Sequence, residues 1–127
     1  MPKTLLYVTG FLNLLFGLFH VYLGYDIGVS STLAQDPRSL LQGLNVASAL
    51  MIFFLAYVCL MHQRDMLATG LGKAVLLLGT LVYLSRAAEE FFWFQFSPLM
   101  TTACLILGVL HLILLLWPEA KGAAAQA

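Results

Sequence analysis

The chain has 127 residues, 61% hydrophobic and 9% charged, with a mean hydropathy of +0.93. This leaves too little polar surface to cover a water-exposed core, which excludes an ordinary soluble domain and makes lipid the expected solvent. A formal net charge of zero excludes the electrostatic footprint of a nucleic-acid binder, and no Lys and Arg cluster marks an anionic-lipid switch.

Four apolar segments follow one another: about 5–23, 40–61, 68–90 and 98–117. Between Arg38 and Arg64 the chain runs 25 residues without a charge, and between Glu90 and Glu119 it runs 28. A bilayer core takes roughly 20 apolar helical residues to cross, and each segment is continuously apolar rather than alternating, so helices win over barrel strands. The expected fold class is therefore all-α, a transmembrane up-down four-helix bundle in one domain over residues 1–119.

The first segment carries Asn13 and His20 and is too long for a signal-peptide core, so it reads as a helix. Gly24 to Pro37 reads as a loop, with a cap for the second helix at Asp36-Pro37 or Ser39. His62 to Met66 reads as a tight polar turn. In the third segment Lys73 is expected to snorkel to the nearer interface. Phe91 to Phe96 forms an aromatic belt before a turn at Gln95 to Pro98, Pro118 closes the fourth helix, and residues 120–127 read as a disordered tail. Lys3, Arg64, Lys73 and Lys121 collect on one side against Arg38 and Arg86 on the other, so the positive-inside rule puts both termini in the cytoplasm.

Polar groups in a span must face the bundle and find partners. At 100° per residue, Gly10, Asn13, Gly17, His20 and Gly24 share one face of the first helix, and Gln42, Asn45, Ala49 and Ala56 one of the second. Gly72, Gly79, Tyr83, Arg86 and Glu90 share a face of the third, and Thr101, Cys104, Gly108 and His111 one of the fourth. Counting about 1.5 Å per residue brings His20, Gln42, Asn45, Tyr83, Arg86 and Glu90 to similar depths in the outer half. They are expected to line one connected cavity or network around Arg86. Such a cluster either pins three helices together or forms a pocket for a small polar or anionic head group.

His111 is placed elsewhere, near Asn13, and a hydrogen bond between the two is expected. The depth difference between His20 and His111 argues against a bis-histidine haem. No metal is expected either, since His20 with Glu89 or Glu90 gives too few ligands and Arg86 repels a cation. Cys59 and Cys104 have no CxxC spacing and no neighbouring base, and read as small buried hydrophobes.

The stretches "GLFHVYLG", "DPRSLLQGLNVAS" and "LGKAVLLLGTLVYLSRAAEEFF" resemble a family of small, uncharacterised bacterial four-helix integral membrane proteins. The resemblance implies an inner-membrane location and the same positions, His20, Gln42, Asn45, Arg86 and Glu90, without naming an activity or a cofactor. The general shape also resembles DoxX-like proteins, but that group's motifs are not evident and no function carries over. Three readings stay open. One is a binder of a lipid-like or quinone-like ligand, alone or as an accessory subunit. Another is a membrane isomerase or oxidoreductase using His20, Tyr83, Arg86 and Glu90. The third is an assembly partner docking another membrane subunit or a second copy through its glycine stripes.

Overall fold

The computed structural model describes residues 1–92 and 97–118. Its helices are α1 (Pro2–Val29), α2 (Gln35–Met61), a short α3 (Gln63–Ala68), α4 (Gly70–Phe92) and α5 (Pro98–Leu115). All but α3 are long and apolar enough to cross a membrane, and together they form an all-α four-helix bundle. The turn expected at Gln95 to Pro98, most of the aromatic belt and the tail fall largely or wholly outside the described residues.

Helix ends explain where the sequence reading slipped. Proline suits the first helical turn, whose N–H groups lack intrahelical partners, so α1 starts already at Pro2 and α5 at Pro98. The expected loop from Gly24 to Pro37 shrinks to the few residues between Val29 and Gln35. Gly24 and Gly28 are packing positions rather than turn punctuation: a Cβ there would lie 2.8 Å from Asn45 Nδ2 and 2.8 Å from Gln42 Nε2. The proposed caps of α2 are not used. Its N-cap is Ala34, and Ser39 Oγ donates back to the Gln35 carbonyl at 3.0 Å. Arg38 secures this connection instead, its Nη2 donating to the carbonyls of Ser30 and Leu33. The expected turn at His62 is in fact α3.

The helices pair as hairpins, α1 most extensively with α2 and α4 with α5. Apolar side chains join the hairpins in two clusters. Leu6, Val58, Cys59, Met66, Leu76 and Leu114 fill one end, and Ile52, Leu55, Tyr83, Ala87, Cys104 and Leu107 the other. The two cysteines are free and buried in these clusters. The core-facing sides of α1 and α4 match seventy residues apart: 6 and 76, 9 and 79, 10 and 80, 13 and 83, 17 and 87 are all buried. Those of α2 and α5 match fifty-two residues apart, at 49 and 101, 52 and 104, 55 and 107, 56 and 108, 59 and 111. The buried faces of the two hairpins thus repeat one spacing along the helices.

Lys73 reaches across to the end of α5. Its Nζ donates to the carbonyls of Leu115 and Trp117 at 2.9 Å and lies 3.5 Å from that of Leu114. These belong to the end of α5, whose last carbonyls have no intrahelical donors and carry the negative pole of the helix.

Candidate functional site

The six polar residues expected in one cavity separate into three places. On the outer flank of α1 and α2, a laterally open groove of about 670 Å³ is lined by His20, Gln42 and Asn45 together with Gly43, Val46, Leu50 and other apolar residues. Val46 and Leu50 are largely exposed, so the groove faces lipid. Asn45 Nδ2 donates to the His20 carbonyl at 2.8 Å, which fixes the amide's orientation, since the reverse would set two oxygens against each other. Asn45 Oδ1 is buried without a hydrogen-bond partner. His20 Nδ1 lies 3.0 Å from the Phe16 carbonyl. A carbonyl only accepts, so Nδ1 carries a proton, and in the neutral ring Nε2 is a free acceptor.

Arg86 and Glu90 stand apart from this groove, on the outer end of α4. Arg86 Nη2 meets Glu90 Oε1 at 2.6 Å, and Nη1 lies 3.7 Å from Glu89. Glu90 is almost fully buried, and its second oxygen accepts from Ser97 N at 3.0 Å. Ser97 is the N-cap of α5, where its Oγ accepts from Met100 N. Glu90 thus ties the end of α4 to the start of α5.

Tyr83 belongs to neither place. Its hydroxyl donates to Asn13 Oδ1, while Asn13 Nδ2 donates to the Thr9 carbonyl at 2.8 Å. Asn13 is on α1 and Tyr83 on α4, so this bond joins the two hairpins. The expected bond between Asn13 and His111 is not formed. His111 Nδ1 donates to the Leu107 carbonyl at 2.8 Å, and its ring packs on Tyr83 with centroids 5.5 Å apart. The cause is depth: Asn13 lies eleven residues into α1 and Tyr83 thirteen into α4, about 17 and 20 Å from the helix starts. Counting from Leu5 and Ala68 had set them about 10 Å apart. Phe16, which the sequence reading passed over, separates His20 from Tyr83 and contacts both, with centroids 4.8 and 6.0 Å away. Its place on the same helical face as His20 and Asn13 was the available signal.

Among the described residues no group of three or more His, Cys, Asp or Glu is placed to hold a metal. No known protein family, curated protein or solved structure matches the chain.

Proposed function

We propose that this multi-pass membrane protein binds a lipid-like or quinone-like amphiphile in the groove between α1 and α2, alone or as an accessory subunit of a larger membrane assembly. The observation that carries the reading is the combination of lateral opening, size and polarity in that groove. About 670 Å³ falls within the usual range for small-molecule sites, and His20, Gln42 and Asn45 are polar groups on a lipid-facing wall, where they cost free energy unless something pairs with them. The catalytic reading asks His20, Tyr83, Arg86 and Glu90 to share a site. Tyr83 is engaged with Asn13 and Glu90 with Ser97, which favours binding over catalysis.

The resemblance implies a bacterial inner-membrane setting, and the charge balance supports both termini in the cytoplasm. Cysteine labelling should then find Arg64→Cys inside, and an external Ala127→Cys would overturn that orientation.

Gly43 supplies the test of the groove. It lines the wall, and a Cβ there meets nothing within 4 Å, so Gly43→Phe fills the groove without disturbing the backbone. Native mass spectrometry of the purified protein should show an amphiphile retained by the parent chain and lost by Gly43→Phe. Equal retention by both would place the ligand elsewhere.

A further inference from the structure

Resting on the reading of this groove as an amphiphile site, we infer that its occupant carries an uncharged hydroxyl head that donates hydrogen bonds. The polar surface offered is biased toward acceptors. Asn45 Oδ1 has no donor, and its amide is held in that sense by the bond from Nδ2 to the His20 carbonyl. The bond from Nδ1 to the Phe16 carbonyl leaves His20 Nε2 as a second acceptor in the neutral ring. Gln42 can serve in either sense.

Charge and depth narrow the head group further. No Asp, Glu, Lys or Arg lines the groove, so a phosphate or ammonium head finds no counter-charge. Asn45 lies ten residues into α2, a 27-residue helix, and roughly 10 Å inside the hydrocarbon boundary once the helix overhang is allowed for. Charge is costly at that depth, whereas a hydroxyl is not. A quinol and a diacylglycerol both present this chemistry on a long apolar tail; a quinone and a triacylglycerol carry similar tails with no donor.

The purified full-length chain in phosphatidylcholine nanodiscs should be titrated with a radiolabelled long-chain quinol, its quinone, dioleoylglycerol and trioleoylglycerol. At least one hydroxyl compound should bind about tenfold tighter than its donor-free counterpart, and the pair that shows the preference identifies the source. Asn45→Leu and His20→Phe should each reduce that preference about fivefold or more, a loss of the size expected for one hydrogen bond. Gln42→Leu, which leaves the Asn45 bond intact, serves if either variant fails to fold. Equal binding within both pairs overturns the hydroxyl inference while leaving the groove site standing. Absence of saturable binding by all four compounds overturns the groove site as well.

Discussion

Tyr83 and Asn13 meet where neither water nor lipid can substitute for the other's hydrogen bond, both being essentially without exposure. Tyr83→Phe keeps the ring and its packing on His111 but leaves Asn13 Oδ1 without a donor. Interhelical hydrogen bonds in membrane proteins average about 0.6 kcal/mol and reach roughly 1.7. Tyr83→Phe should therefore lower stability by about 1–2 kcal/mol in reversible detergent unfolding, since an abandoned buried acceptor adds to the loss. Tyr83→Phe combined with Asn13→Leu should cost less than the sum of the two changes, and strict additivity would show that the bond contributes nothing. His111 contributes through its ring's packing rather than through Asn13. A Cβ on Gly79 would come within 2.8 Å of His111 Nε2, so Gly79→Ala should destabilise by about 1–3 kcal/mol, as overpacking does in a filled core.

At the scale of elements, the helix ends carry most of the ionic chemistry. Lys73→Met removes the donor that serves three carbonyls at the end of α5, and should cost about 1 kcal/mol. Hydrogen exchange would locate the loss in the last turn of α5, and unchanged protection there would rule out the capping role. At the other end, Arg86→Leu leaves the buried Glu90 with only Ser97. Because Arg86 is about one-third exposed (35% by side chain), the cost should fall below the 3–5 kcal/mol of a fully buried pair, at about 2 kcal/mol. Replacing both partners by leucine should cost less than Arg86→Leu alone. The same ends divide what the sequence disclosed from what it hid. Uncharged runs sufficed to locate four helices, and helical periodicity placed Thr101, Cys104, Gly108 and His111 on the buried side of α5, as found. Helix starts were less legible, because Pro2 and Lys3 are as compatible with a first turn as with a tail. An error of a few residues at the starts of α1, α2 and α4 became an error of several ångströms in depth, enough to set Tyr83 level with His20 rather than with Asn13. The partners of Lys73 were hidden for another reason: they lie more than forty residues away, which no local pattern reports.

For the whole molecule, the bundle is two helical hairpins written on one chain, with α3 and its contact to α4 as the joint. That joint is tight, since a Cβ on Gly72 would lie 2.5 Å from Met66 Cα. A true homodimer must carry any substitution twice and so keeps both of its flanks alike. A single chain is free of that restriction, and the two flanks differ in character: one is shut by a carboxylate, a guanidinium and a backbone amide, the other is a groove open to the bilayer. Asymmetry of this kind gives the molecule a front and a back in the plane of the membrane. Under the proposed binding role, an amphiphile arriving laterally is received on the groove side alone, and the expected stoichiometry is one occupant per chain.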